Sequence, residues 1–216
     1  MLNYYGTVIR PPSEADSLIL QVTLGCSDNS CIFCPAYKDK KFKIKNIREI
    51  EKDIATAAAY YPETRRVFLA DGDALIITQK DLLTICDRII AAFPLVSRIS
   101  MYASAKAVEL KTVAELKQLQ SKKMSLVYIG FETGDEDVYK FTQKYGSVQK
   151  NIESVLKLKQ TGIKSNVTVI LGLGGEKLSL KHAENTAAVL NRAQPEQIAA
   201  LTLMIVKNTP LYEICR

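Results

Sequence analysis

Leu24-Gly-Cys-Ser-Asp-Asn-Ser-Cys-Ile-Phe-Cys-Pro35 carries three cysteines, Cys26, Cys31 and Cys34, on one short stretch, with four residues between the first pair and two between the second. They follow an apolar, strand-like run, Leu18–Leu24. Three thiolates on one loop can converge on a metal, because the loop can fold around it. A structural zinc calls for four ligands, and no fourth Cys or His lies nearby in the sequence. An iron–sulfur cube held by three protein thiolates leaves one iron free to bind a small molecule. The donor count therefore favours a [4Fe-4S] cluster with an open iron. A non-catalytic iron–sulfur carrier or sensor and a zinc-binding module are the competing readings.

The rest of the composition sets the frame for that loop. The 216 residues suffice for one large core, so one domain is expected: an N-terminal extension over residues 1–17 and a core domain over 18–216. No apolar run approaches the roughly 20 residues of a membrane helix, and Met1–Asp16 has no signal-peptide core. A cytoplasmic location is the expectation, with no membrane partner. In a reducing compartment cysteines read better as ligands than as disulfides. Of the other two, Cys86 lies among Leu82, Leu83, Ile89 and Ile90 at helical spacing and reads as core, while Cys215 has no companion cysteines. The net charge of +6 permits an anionic partner without demonstrating one. Nucleic acid is not indicated, because the basic residues are not interleaved with aromatics.

Strand-like and helix-like segments alternate along the chain. After Leu18–Leu24, strands are expected at Arg66–Ala70, Arg98–Tyr102, Ser125–Gly130, Lys164–Leu171 and Gln197–Val206. Helices are expected near Ile47–Tyr60, Lys80–Ala92, Thr112–Ser121, Glu136–Lys144, Val148–Thr161 and from Ser179 to about Arg192. Asn46 and Glu49 suggest a capping box on the first helix, and Thr78 a cap on the second. This is the pattern of an α/β fold with a parallel sheet and right-handed crossovers, a partial TIM-like barrel of six βα units. A closed barrel of eight units takes about 250 residues. The chain is thus either an open six-unit barrel or one that stops short of a C-terminal extension, the second being slightly favoured.

In such folds ligands gather at the C-terminal ends of the strands. Asp71-Gly72-Asp73 follows the second strand, where the glycine permits close backbone approach and each carboxylate can accept from an ammonium group. Ser104 follows the third strand, and Glu132 the fourth, placed to meet ribose hydroxyls or an ammonium group. Gly172, Gly174 and Glu176 lie in a glycine-rich turn after the fifth, where main-chain groups can meet a flat ligand such as a purine. Met204 belongs to an apolar wall at the sixth. Each has a structural reading beside the functional one: a turn, a helix cap, a core side chain. Lys38, Lys40, Lys41, Lys43 and Lys45 read first as a solvated face, with a docking patch for an acidic electron donor as the alternative. His182, the only histidine, reads as structural.

Taken together these segments resemble the radical S-adenosylmethionine (SAM) superfamily from Leu18 to Glu213. The resemblance implies that Cys26, Cys31 and Cys34 hold a [4Fe-4S] cluster and that Phe33 packs near the adenine of SAM. It places Asp71, Gly72 and Asp73 where the family has a Gly-Gly-Glu motif for the SAM amino group. Glu132 falls at the polar position for ribose or methionine, and Gly172, Gly174 and Glu176 beside the adenine. Thr209-Pro-Leu-Tyr-Glu213 looks like the same stretch in oxygen-independent coproporphyrinogen oxidases and Elongator-type catalytic subunits. The implied chemistry is reductive cleavage of SAM to a 5′-deoxyadenosyl radical that abstracts hydrogen from an unidentified substrate. The implied partner is a one-electron donor such as flavodoxin or ferredoxin. The chain departs from the family pattern twice, with four residues rather than three between the first two cysteines and Asp-Gly-Asp in place of Gly-Gly-Glu.

Overall fold

Strands and helices alternate through the computed structural model, which describes residues 2–216. Strand β1 (Leu18–Gln21) leads into a short strand β2 (Thr23–Leu24), and β3 (Lys43–Ile44) pairs antiparallel with β2 across the cysteine loop. There follow α1 (Ile47–Tyr60), β4 (Arg66–Ala70), α2 (Gln79–Ala92), β5 (Arg98–Ala103), α3 (Ala105–Glu109), α4 (Val113–Ser121) and β6 (Met124–Glu132). The chain then runs through α5 (Glu136–Phe141), α6 (Val148–Lys159), β7 (Lys164–Leu171), α7 (Gly175–Ala193), β8 (Gln197–Thr202) and α8 (Pro210–Ile214). The main sheet has the order β1-β4-β5-β6-β7-β8, and every neighbouring pair is parallel. Strands adjacent in the sheet follow one another along the chain through helical crossovers, which is the arrangement of a partial (β/α)6 barrel.

Alternation along the strands explains why the sheet is buried on both faces. Val67, Leu69, Ile99, Met101, Val127, Ile129, Val167 and Val169 face the helices, where they meet Ile50 and Ile54 of α1, Leu82, Ile85, Cys86 and Ile89 of α2, and Ile152 and Val155 of α6. Those helical residues recur at three- and four-residue spacing, so each helix turns one apolar stripe to the sheet. Burying each such aliphatic side chain contributes about 1.5–3 kcal/mol. Cys86 is fully buried in this layer, as its neighbours in the sequence imply. On the opposite face Phe68, Ala70, Leu126 and Tyr128 pack with Ile19, Tyr102 and Val8. The Phe68 ring stands nearly perpendicular to those of Tyr102 and Tyr128, at centroid distances of 5.0 and 5.8 Å.

Val8 brings the N-terminal segment onto this inner face, so residues 2–17 are packed against the barrel. Tyr5 exchanges two hydrogen bonds with the Gln21 side chain, at 2.7 and 3.2 Å. Glu14 is fully buried at the N-terminal end of the sheet, where it accepts from Ser100 Oγ (2.9 Å), Tyr128 OH (2.7 Å), Arg98 (2.9 Å) and Ser17. No helix among the described residues is long and apolar enough to cross a membrane.

Several boundaries differ from the sequence pattern, each for a local reason. The first strand ends at Gln21 rather than Leu24: Val22 still donates to Ala70 O, but Thr23 and Leu24 leave the sheet to pair with β3. Asn46 caps α1 through Arg48 N, and the complete capping box forms instead at Thr112 and Glu115 on α4. Helix α5 stops at Phe141 because Gln143 adopts a left-handed backbone (φ 56°). Helix α7 begins at Gly175, in a glycine-rich stretch that reads as loop, and β8 ends at Thr202. The sequence pattern shows no sign of α3, which is one turn and a half long and capped by Ser104.

The Glu14 network makes a prediction about acid stability. Burial alone would raise its pKa, but hydrogen bonds from Ser17, Tyr128 and Ser100 and the charge of Arg98 outweigh it and hold the carboxyl below its ordinary value. The stabilisation is therefore complete above the unfolded pKa, about 4.3, and is lost as pH falls through the lower folded value. Glu14→Gln is expected to cost about 1–3 kcal/mol at neutral pH and to flatten the acid limb of melting temperature against pH. An unchanged acid limb would contradict this account.

Candidate functional site

The cysteine loop stands at the C-terminal edge of the sheet because the β2–β3 ladder closes its base, with Thr23 opposite Ile44 and Leu24 opposite Lys43. Gly25 turns the chain there in a left-handed conformation (φ 72°). Cys31 is buried, Cys26 and Cys34 are half-buried, and all three are free thiols. From the far end of the chain Leu211 N, at the start of α8, donates to Ile32 O at 3.0 Å.

Two aspartates at the end of β4 fasten the loop to the sheet. Asp71 Oδ2 accepts from Gln21 Nε2 (3.0 Å), Gly25 N (3.2 Å) and Lys40 Nζ (3.3 Å). Asp73 accepts from Ser27 in the cysteine loop and from Ser104 at the end of β5, the latter through N (3.0 Å) and Oγ (2.8 Å). Between them Gly72 N donates to Gly25 O at 3.1 Å. A Cβ at Gly72 would lie 2.8 Å from the Tyr37 ring and 2.9 Å from Cys26 Cβ, so the loop packs where a side chain would stand. Both carboxylates are fully buried, yet Asp71 Oδ1 has no hydrogen-bond partner. It is an acceptor still in need of a donor.

Burial pushes the Cys26 thiol up to about 11 and the Cys31 thiol up to about 12. Such thiols release their protons to a metal that replaces them rather than to solvent. Among the described residues no three His, Cys, Asp or Glu side chains gather as the ligands of one metal ion. Three free thiols on one loop, with no fourth side-chain donor beside them among the described residues, are a donor set of the kind an iron–sulfur cluster takes. Asp73 carries a raised pKa because burial outweighs the bonds from Ser27 and Ser104.

Glu132 ends β6 at a bulge, where the register with β7 shifts between Gly130 and Glu132. Its backbone is left-handed (φ 64°), a conformation that costs energy in a residue with a side chain and gathers at functional sites. The bulge aims the carboxylate at Lys144, whose Nζ lies 2.6 Å from Oε1. A Cβ on Gly130 would fall 2.0 Å from that oxygen, which explains the glycine. Burial would lower the Lys144 pKa, but the charge of Glu132 and the hydrogen bond to it outweigh this and hold it above its ordinary range.

At the end of β7, Phe33 of the cysteine loop packs against Val138, Ile170 and Leu173, with Leu178 and Leu203 alongside. Gly172 is exposed in a left-handed conformation (φ 89°) beside Leu203. A Cβ on Gly174 would come within 2.8 Å of His182 Cβ and 2.9 Å of Leu178 O, so this glycine answers to the packing of α7. His182 is structural: Nδ1 meets Thr133 Oγ1 at 2.7 Å and Nε2 meets Ile170 O at 3.1 Å, tying β6 to β7. Glu176 is exposed on the first turn of α7, and Met204 is 73% exposed outside the Phe33 cluster.

The fold thus gathers Cys26, Cys31, Cys34, Phe33, Asp71, Gly72, Asp73, Ser104 and Glu132, leaves Gly172 at the rim, and turns Glu176 and Met204 to solvent. Gln21, Ser27, Lys40 and Lys144 also belong to the site but carry no motif. The lysine run divides: Lys38 bonds Asn29 O, Lys40 bonds Asp71, Lys45 is buried against Asp53, and Lys41 and Lys43 are exposed. A cavity of about 1170 Å³ elsewhere, lined by Leu2, Tyr4, Arg10, Tyr60 and Arg65, includes none of the site residues.

Several solved proteins share this fold. Methylornithine synthase superposes with a TM-score of 0.68 at 14% identity, covering 90% of this chain and 55% of that one. Coproporphyrinogen III oxidase from Escherichia coli, a radical SAM enzyme, gives 0.70 at 12% identity over 88% of this chain and 44% of that one. The radical SAM methyltransferase TsrM from Kitasatospora setae, solved with cobalamin and a [4Fe-4S] cluster, gives 0.72 at 15% identity over 90% and 38%. This chain therefore spans about half or less of the length of these proteins, and at such identities the likeness speaks for the fold alone. No curated protein sequence matches it. The sequence profile of the Radical SAM superfamily, in contrast, matches residues 20–187, from β1 into α7. On that match, which takes in the three cysteines and the Asp-Gly-Asp turn, the chain belongs to the Radical SAM superfamily.

Proposed function

We propose that this chain is the core of an enzyme that cleaves SAM reductively at a [4Fe-4S] cluster and abstracts hydrogen from a substrate. The observation that carries this reading is the set of three free thiols on a loop sewn, by Asp71 and Asp73, to the C-terminal edge of six parallel strands. Cys26, Cys31 and Cys34 would hold the cluster. When bound, the cluster supplies the single electron that splits SAM into methionine and a 5′-deoxyadenosyl radical, which takes hydrogen from the substrate.

The chain's own groups position and enclose. Asp71 Oδ1, buried and unpartnered, is suited to accept from the SAM ammonium. Gly72 lets the backbone come close where a side chain would collide. Phe33, Ile170 and Leu173 offer an apolar face for the adenine and exclude water beside it. Glu132 Oε1 is engaged by Lys144, so a ribose contact falls to Oε2. The electron comes from a low-potential donor such as flavodoxin or ferredoxin, and Lys41 and Lys43, exposed beside the cysteine loop, suit an acidic donor surface.

Three measurements check this. Anaerobic reconstitution is expected to load about four irons per chain, and Cys26→Ala, Cys31→Ala and Cys34→Ala each to abolish the cluster absorbance. Loaded protein with SAM and dithionite is expected to release 5′-deoxyadenosine; a stable cluster without that product would make the chain an electron carrier instead. Asp71→Asn is expected to weaken SAM binding about 10- to 100-fold, the loss of about 1.5–3 kcal/mol from a charged hydrogen bond, with iron content retained. Unchanged affinity would remove Asp71 from the amino-group site.

A further inference from the structure

Residues 2–8 precede the first strand, yet they reach the Asp71 carboxylate through two side chains. The Gln21 amide closes a ring with Tyr5: Tyr5 N donates to Gln21 Oε1 at 2.7 Å, and Gln21 Nε2 donates to Tyr5 O at 3.2 Å. The same Nε2 donates to Asp71 Oδ2 at 3.0 Å. Lys40 Nζ donates both to Thr7 O and to Asp71 Oδ2, the latter at 3.3 Å. Gly25 N adds a third donor to Oδ2 at 3.2 Å. Two of these three donors are thus held by main-chain oxygens of the N-terminal segment. Between those two oxygens lies Gly6, in a left-handed conformation (φ 66°). A Cβ there would come 3.0 Å from Lys40 Cε, so the glycine lets the segment turn closely over the lysine stem.

The segment is fastened on both sides of these contacts. Before them, Asn3 N donates to Asp53 Oδ1 at 3.0 Å and Asn3 O accepts from Lys45 Nζ at 2.8 Å, where Lys45 and Asp53 form a buried ion pair. After them, Val8 packs with Phe68 and Tyr128 on the inner face of the barrel. A tie that served stability alone would satisfy both oxygens of the buried carboxylate. Here every donor to the Asp71 carboxylate goes to Oδ2, and Oδ1 has no partner among the described residues. Pinning one oxygen from three directions fixes where the other points.

We propose that residues 3–8 form a strap that sets the Asp71 carboxylate for the SAM ammonium, with Gln21 and Lys40 as the positioning residues that relay it. This rests on the SAM reading above. Neither relay touches Oδ1, so their contribution is orientation. The Lys40 charge by itself opposes a second cation on the same carboxylate, which is why the informative variants leave that charge in place. The strap and the ligand then share one carboxylate, and each orders the other.

The test is calorimetric titration of the reconstituted full chain, its cluster oxidised so that SAM stays intact, with SAM and with the analogue that has hydrogen in place of the amino group. Gln21→Leu and Gly6→Val, which change no charge, are each expected to weaken SAM binding about 3- to 10-fold, the worth of one ordinary hydrogen bond. Iron content and affinity for the deamino analogue are expected to match the parent. Combined, the two substitutions are expected to lose little more than either alone, because both act through one carboxylate. In the parent, SAM is expected to slow amide hydrogen exchange in residues 2–8, and the deamino analogue to do so much less. Unchanged SAM affinity in both variants, equal losses for SAM and the analogue, or no exchange protection of residues 2–8 would each overturn the strap while leaving the SAM reading intact. A parent chain that loads iron but binds no SAM would overturn that reading, and this inference with it. If Gly6→Val fails to fold, Gln21→Leu and the exchange measurement still decide.

Discussion

Two carboxylates buried on either side of a single glycine must each find donors, and the cysteine loop provides them. A buried carboxylate without hydrogen bonds is expensive. Asp71 therefore draws in Gly25 N and Lys40, and Asp73 draws in Ser27, all from the segment that carries the cysteines. The same aspartates also bond Gln21 on β1 and Ser104 after β5. Three strand ends and one loop are thus referred to a common point, which gives an otherwise irregular loop a fixed address on the sheet. Asp71 is left with one oxygen unsatisfied, a cost that a ligand can recover.

The barrel divides its labour between its two ends. At the N-terminal end Glu14 collects Ser17, Ser100, Tyr128 and Arg98 around one carboxylate, and Val8 of the N-terminal segment packs on the inner face. Every polar group of the Glu14 carboxylate there has a partner, so that end serves stability. The C-terminal end keeps its irregularities: the bulge at Glu132, the left-handed Gly25 and Gly172, and the unpartnered Asp71 Oδ1. The unmet bonding capacity of Asp71 Oδ1 stands where a cofactor would offset it.

The sheet was legible because its signal is periodic. Arg66–Ala70 and Lys164–Leu171 form strands with the bounds that their Val, Ile and Leu runs suggest, and Ile47–Tyr60 is a helix from cap to proline. The departures arise where long-range pairing competes with local pattern. Thr23 and Leu24 look like the end of β1, but their partner is β3, on the other side of the cysteine loop. Of the site, Cys26, Cys31, Cys34 and the Asp71–Asp73 turn stand out in the sequence by residue type and spacing. Lys40 and Lys144 do not, because one lies in a run of lysines and the other at the frayed end of a helical pattern. Only the fold shows that each faces a buried carboxylate. Gly174 illustrates the reverse case: a glycine that suggests ligand contact in the sequence is required by His182 and Leu178.

The hydrogen bond from Leu211 to Ile32 joins residues far apart in the sequence. A contact of such sequence separation is among the last to form as a polypeptide collapses, since the whole intervening length must first be ordered. The thiols therefore sit on a segment whose fastening depends in part on residues far downstream in the sequence. One main-chain contact in this way ties the packing of the cysteine loop to the folding of α8.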